Sequence, residues 1–226
     1  MYVTAVILAA GRGRRMESDE NKAFHLLRGI PVLRRTLGAF LHAPSVNEIV
    51  VVVGSGEEDR VRGLLTSVSI PCSIVPGGEH RRDSAIAGVT AATGEIVLIH
   101  DGARPFLSPE LIERIVEGTV RHGACVPVLP IADTVRTVKP ESTLSPRTFD
   151  RTGMVRIQTP QGFRMSLIRR ALDLSPPTIP DDAAAVLALG EPVHTVAGEP
   201  TNLKITSPAD VPLAEAIADH LASLDR

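Results

Sequence analysis

The chain has 226 residues, 43% apolar and 22% charged, with a formal net charge of −2. That length suits one generous domain or two small ones with a sizeable core, and the near-neutral balance gives no global field for nucleic acid. Five Phe, one Tyr and no Trp leave no stacking platforms for single strands, and no window is apolar and long enough to span a bilayer.

Val3–Leu8 is an apolar run that reads as a buried parallel strand. It runs into Leu8-Ala9-Ala10-Gly11-Arg12-Gly13-Arg14-Arg15-Met16, with Lys22 six residues further on. Small residues and two glycines let this backbone pass close to a ligand, and the cations grip anions. A turn of this kind off a strand end suits a polyphosphate, so a nucleoside triphosphate is expected. Further strand-like runs follow at Ile49–Val53, Cys72–Val75, Ile96–His100 and Ala124–Val128. Between them, Pro31–His42, Glu57–Leu65, Arg81–Ala92 and Pro109–His122 carry apolar residues on one helical face. Ser108 with Pro109 reads as an N-cap and first helical residue. The alternation predicts an α/β fold: a Rossmann-like, mostly parallel sheet with helices on both faces. In such sheets ligands sit beyond the carboxyl ends of the strands, so the loops Ala9–Lys22, Pro76–Asp83 and Asp101–Pro105 should share one rim.

Pro130–Gln161 breaks the rhythm. Thr134–Val138 and Arg151–Ile157 flank a Pro/Ser-rich turn and read as a two-stranded excursion, at about 132–157, from a single domain spanning 1–226. A hairpin with little apolar surface is poorly stable alone, so this protruding β-arm is expected to serve dimerisation. Lys204 is read in a short strand between Leu203 and Ile205, and Ser207-Pro208 as the start of a last helix. Cys72 and Cys125 lack metal-ligand spacing and read as buried free thiols in a reducing compartment. Met1–Leu8 has no basic segment leading into a long apolar stretch, so no signal peptide and a cytoplasmic location are expected. Of 24 basic residues only Lys22, Lys139 and Lys204 are lysines, a mild hint that these need a compact ammonium.

LAAGRGRRM with Lys22, PGGEHRRDSAIAG at 76–88, HDGARP at 100–105, ADTV at 132–135, DRTGMVRIQTPQGF at 150–163, PDDAA at 180–184 and NLKIT at 202–206 stand in order along the chain. Together they resemble the 2-C-methyl-D-erythritol 4-phosphate cytidylyltransferases, a nucleotidyltransferase family of non-mevalonate isoprenoid synthesis. The resemblance implies CMP transfer from CTP to methylerythritol phosphate, with release of pyrophosphate. It implies that Arg15 and Lys22 are the catalytic cations on the α-phosphate, and that Ala10, Gly11, Gly13, Gly78, Glu79, Arg81, Ser84, Asp101 and Gly102 bind CTP. Arg104, Thr134, Arg151, Thr159 and Lys204 are expected at the acceptor phosphate. Arg151 and Thr134 reach the neighbouring subunit's site in this family, which implies a homodimer with composite sites. Mg²⁺ or another divalent ion is implied, with Asp101 as a candidate ligand. Neither nucleic acid nor membrane is expected as a partner.

One departure stands beside Lys22: relatives usually carry proline before this lysine and glutamine after it, where this chain has Asn21 and Ala23. Loss of the proline is expected to loosen the backbone ahead of the lysine. His100 reads as a packed strand-end histidine, and Asp181 and Asp182 as structural residues at a helix start. An alternative acceptor is another polyol phosphate, such as ribitol 5-phosphate. A dinucleotide-dependent oxidoreductase fits poorly, because a third glycine and an acid ending the second strand are missing. A binding protein without catalysis would bind CTP and release no pyrophosphate.

Overall fold

The structure is a computed structural model that describes residues 1–11, 21–66 and 68–224. The chain opens with β1 (Val3–Ala9), a 3₁₀ turn (Lys22–Phe24), the short pair β2 (Leu26–Leu27) and β3 (Ile30–Pro31), and α1 (Val32–Leu41). There follow β4 (Glu48–Val53), α2 (Glu58–Leu64), β5 (Cys72–Pro76), α3 (Arg81–Ala91), β6 (Ile96–Asp101), α4 (Pro109–His122) and β7 (Ala124–Pro130). The last third holds β8 (Arg136–Val138), β9 (Leu144–Thr148), β10 (Val155–Ile157), β11 (Gln161–Arg164), α5 (Met165–Leu174), α6 (Asp182–Ala188), β12 (His194–Ala197) and α7 (Asp210–Leu224).

β1 pairs in parallel with β4 and β6, and β4 in parallel with β5. β11 runs antiparallel between β6 and β7, and β12 adds in parallel to β7. The sheet is thus mostly parallel, as the alternation predicts. Its two faces are read directly from residue parity, since successive side chains point to opposite sides. Ala5, Ile7, Ile49, Val51 and Leu98 pack against Leu33, Leu37 and Phe40 of α1 and against Leu111, Ile112 and Ile115 of α4. Val6, Val50, Val52, Val97 and Ile99 pack against Ala85 and Val89 of α3, Ile168 and Leu172 of α5, and Val186 of α6. Burying both faces is why these strands are unbroken apolar runs rather than alternating ones. The Ser108 hydroxyl caps α4 as expected, accepting the Leu111 N–H at 3.0 Å.

Three local expectations are revised. Val155–Ile157 belongs to the main sheet, paired with Val128–Pro130, and the excursion's own hairpin is β8 with β9. Lys204 lies in no strand: the segment is irregular, pinned by the Ile205 N–H on the Ala103 carbonyl at 2.9 Å. The last helix begins at Asp210, whose carboxylate accepts the Thr206 and Ser207 N–H groups at 2.8 Å. The thiols differ in depth, Cys125 being buried and Cys72 half-buried. Among the described residues no helix is long and apolar enough to cross a membrane.

Candidate active site

At the carboxyl ends of β1, β5 and β6 the loops meet around a cavity of about 210 Å³. Ala10, Gly11, Lys22, Gly78, Glu79, Arg81, Ser84, Asp101 and Lys204 line it, together with Asn21 and His80. The described parts of the three loops expected on one rim do share it. The close approach of the 76–80 loop to β1 needs a missing side chain: a Cβ on Gly77 would stand 2.4 Å from the Ala10 Cβ. The Ser84 hydroxyl, at the start of α3, accepts the Gly78 N–H at 3.2 Å and sets the next residue of that loop. Asp83 accepts the His80 N–H at 3.2 Å, closing the turn into α3.

Asp101, the last residue of β6, is the electrostatic centre. Its carboxylate meets Lys204 Nζ at 2.7 Å, Arg81 Nε at 3.5 Å and Arg104 Nε at 3.5 Å. Burial alone would push the carboxyl up, but Lys204, then Arg81 and Arg104, hold it well below the usual carboxylate range. Arg81 also binds Asp182 at 2.7 Å. Desolvation lowers the affinity of Arg81 for its proton, yet Asp182 and Asp101 outweigh it and keep the guanidinium above its ordinary value. Asp182 is fully buried, and burial pushes its carboxyl up against the pull of Arg81. Asp182 therefore does more than open α6: it fixes a cavity-lining arginine. Asp181 is the N-cap of that helix, accepting the Ala184 N–H at 2.9 Å.

Behind Asp101 lies a buried relay. His100 Nε2 is 3.1 Å from the Arg104 carbonyl, which can only accept, so the proton belongs on Nε2. Nδ1 is then an acceptor for the Thr159 hydroxyl at 3.0 Å, and the Thr159 oxygen accepts the Asp101 N–H at 3.1 Å. Burial drives the His100 pKa down to about 3, so the ring stays neutral. The Thr159 hydroxyl, expected at the acceptor, is thus spent on Asp101 and His100. Arg104 likewise points inward, with its Nη1 on the Asn202 carbonyl at 2.9 Å. Gly102 packs against β1 through its N–H on the Leu8 carbonyl at 2.9 Å.

Thr134 and Arg151 are exposed and do not line this cavity, and Arg151 donates to the Ala132 carbonyl within the same excursion. Gly13 and Arg15 lie outside the described residues. Asn21 lines the cavity, although its sequence context points only to a loosened neighbour; its place next to Lys22 is the one signal that could have found it. Its side chain is held by Ala9, Glu57 and Ala23, while most of the backbone ahead of it, residues 12–20, lies outside the described residues.

Mg²⁺ keeps several waters and is commonly held by one or two carboxylates plus phosphate oxygens. Asp101 is a suitable donor type, but its oxygens face three cationic side chains. Among the described residues no cluster of three or more His, Cys, Asp or Glu could hold a metal. Among the described residues, Asp101 suits an ion that also takes oxygens from a triphosphate.

The family model described as IspD, 2-C-methyl-D-erythritol 4-phosphate cytidylyltransferase, matches residues 3–220. A 2-C-methyl-D-erythritol 4-phosphate cytidylyltransferase of Nocardia farcinica is 42% identical over 225 residues, covering 98% of this chain and 96% of that one. One from Geobacillus kaustophilus is 39% identical over 223 residues, covering 96% and 97%. The crystal structure of 2-C-methyl-D-erythritol 4-phosphate cytidylyltransferase from Thermus thermophilus superposes with a TM-score of 0.81 at 37% identity, over 97% of this chain and 100% of that one. By its sheet, by the loops that meet at the end of that sheet and by likeness along nearly its whole length, this chain belongs to the 2-C-methyl-D-erythritol 4-phosphate cytidylyltransferase family.

Proposed function

We propose that this chain transfers CMP from CTP to 2-C-methyl-D-erythritol 4-phosphate, giving 4-CDP-2-C-methyl-D-erythritol and pyrophosphate. The observation that carries the reading is the convergence of Lys22, Arg81 and Lys204 on one glycine-lined cavity in a chain of this family. An oxygen of the acceptor phosphate attacks the α-phosphorus of CTP. The new P–O bond forms as the bond from the α-phosphorus to the bridging oxygen breaks, and the electron pair leaves with pyrophosphate. No general base is needed, because a phosphate monoester is already largely ionised at neutral pH.

The difficulty is bringing two polyanions together. Two like unit charges 4 Å apart repel by about 1 kcal/mol in water and about 4 kcal/mol at an effective dielectric constant of 20. Catalysis is therefore mainly positioning and charge neutralisation. Lys22 acts on the α-phosphate side and Lys204 on the acceptor side, and the family resemblance assigns the role of Lys22 to Arg15 as well. Backbone groups of Ala10 and Gly11 border the nucleotide, and the 78–84 segment reads the cytosine edge, where an amino donor lies beside an acceptor. When bound, a divalent ion with Asp101 as its candidate ligand would supply further charge neutralisation for the triphosphate. Thr134 and Arg151 complete the acceptor site of a second copy, so the working unit is a homodimer.

The test is pyrophosphate release with methylerythritol phosphate and CTP, run beside UTP, ATP and, as acceptor, ribitol 5-phosphate. Strong dependence on CTP and methylerythritol phosphate is expected; equal rates with every nucleotide would contradict the cytosine assignment.

A further inference from the structure

Lys22 is carried on a single 3₁₀ turn, too short to hold itself. What holds it is Asn21, which is 6% exposed. Asn21 Nδ2 donates to the Ala9 carbonyl at 2.6 Å and to Glu57 Oε2 at 2.8 Å. Its Oδ1 accepts the Ala23 N–H at 3.0 Å, and its main-chain oxygen accepts the Phe24 N–H at 2.9 Å. The same Glu57 oxygen accepts the Gly54 N–H at 3.1 Å. A Cβ on residue 54 would stand 2.8 Å from Glu57 Oε2, so a side chain there would push this carboxylate out of its place. On the other flank the Arg60 guanidinium lies over the Phe24 ring, 4.0 Å from its centroid. The start of α2 thus grips the lysine-bearing turn at two places.

We infer that Asn21 and Glu57 form a positioning clasp for Lys22, tying its turn to the ends of β1 and β4. The inference rests on the proposed role of Lys22 at the α-phosphate. A lysine side chain has four rotors, so a fixed main chain narrows the region its ammonium can reach. In this inference both residues of the clasp are positioning residues that act through Lys22. Because one Glu57 oxygen takes both hydrogen bonds, a glutamine carbonyl can replace it, whereas alanine cannot.

Steady-state pyrophosphate release is measured for the wild type, Asn21→Ala, Asn21→Asp, Glu57→Ala, Glu57→Gln and the double variant Asn21→Ala/Glu57→Ala, with thermal melts of each. A misplacement of about 1 Å can cost about a hundredfold, so Asn21→Ala and Glu57→Ala are each expected to lower kcat by about ten- to a hundredfold. The acceptor KM should stay within about twofold, because the clasp acts only on the α-phosphate side. Asn21→Asp is expected to fall below Asn21→Ala, since it places a carboxylate against Glu57 and the Ala9 carbonyl with no proton to donate. Glu57→Gln is expected to keep most of kcat, and the double variant to be no worse than the worse single one, as residues of one unit should be. A folded Asn21→Ala with wild-type kcat, a Glu57→Gln as poor as Glu57→Ala, or additive losses in the double variant would overturn the inference. Absence of turnover in the wild type would instead overturn the proposed function itself.

Discussion

Lys204 Nζ lies 2.7 Å from Asp101 Oδ2, joining the segment ahead of α7 to the end of β6. One ion pair does not use up an ammonium with three donors. Lys204 is a third exposed at the cavity wall, so it can keep Asp101 and still offer a proton donor to an arriving phosphate. Lys204→Met should lower kcat/KM for the acceptor about ten- to a hundredfold, the loss of roughly one charge-assisted contact. The KM for CTP should change by about twofold at most. Varying each substrate in turn checks this, and an equal loss for both substrates would mean that Lys204 serves the whole cavity.

His100 gives the fold a pH dependence with a defined sign. Its pKa is about 3 in the folded chain against an ordinary value of 6.5. The unfolded chain therefore binds the proton more readily between these values, and stability falls as pH drops below about 6.5, by up to about 1.4 kcal/mol per pH unit. Above pH 6.5 this contribution is fully present. Asp101, also depressed, stabilises above its ordinary 3.8 and loses that share only below it. Urea midpoints between pH 7.5 and 4.5 should thus fall more steeply in the wild type than in His100→Asn. Parallel slopes would show that His100 is not held neutral.

Asp182→Asn removes one end of a buried pair and leaves the Arg81 guanidinium short of a counter-charge. Breaking such pairs costs about 3 kcal/mol or more, which for a chain of this size is a fall in Tm of about 6–12 °C. The KM for CTP should rise with it, because Arg81 lines the cavity. Calorimetry and nucleotide titration read the two effects separately.

The excursion carries exposed Val138 and Leu144, at 63% and 65%, and Val155 and Ile157 of β10 are exposed as well. Covered by a second copy, these would lose that exposure, and sedimentation should give twice the chain's 24.1 kDa. Composite sites make a sharper demand. Lys22→Ala and Arg151→Ala chains should each be nearly inactive, while their equimolar mixture should recover roughly a quarter of wild-type turnover, one intact site in each mixed dimer. No recovery after confirmed subunit exchange would place Arg151 outside the neighbour's site.

Much of this architecture was legible because its signals are local. Strands buried on both faces must be apolar throughout, so β1, β4, β5, β6 and β7 stood out, each observed one or two residues longer than its apolar run. The ends of the turn after β1, at Ala10, Gly11 and Lys22, line the cavity. What stayed hidden depends on distant partners. Asp182 looked like a helix-start acid because its partner Arg81 is far away in sequence. Thr159 looked like a ligand donor because nothing local reveals that His100 and Asp101 claim its hydroxyl. Asn21 looked like a lost proline, yet its backbone φ is −64°, the value proline would impose, and its side chain supplies the restraint. β11 leaves no strand signal in the sequence, because four residues inserted antiparallel between β6 and β7 have no periodicity of their own.

The most direct measurement follows the phosphorus itself: ³¹P NMR of CTP and methylerythritol phosphate with wild-type chain and with Lys22→Ala. The wild type should convert the monoester signal into a diphosphate-linked product with one equivalent of pyrophosphate, and Lys22→Ala should slow this at least about a hundredfold. Pyrophosphate without the linked product, or an unchanged rate in Lys22→Ala, would contradict the claim that cations gathered at this cavity join the two phosphates.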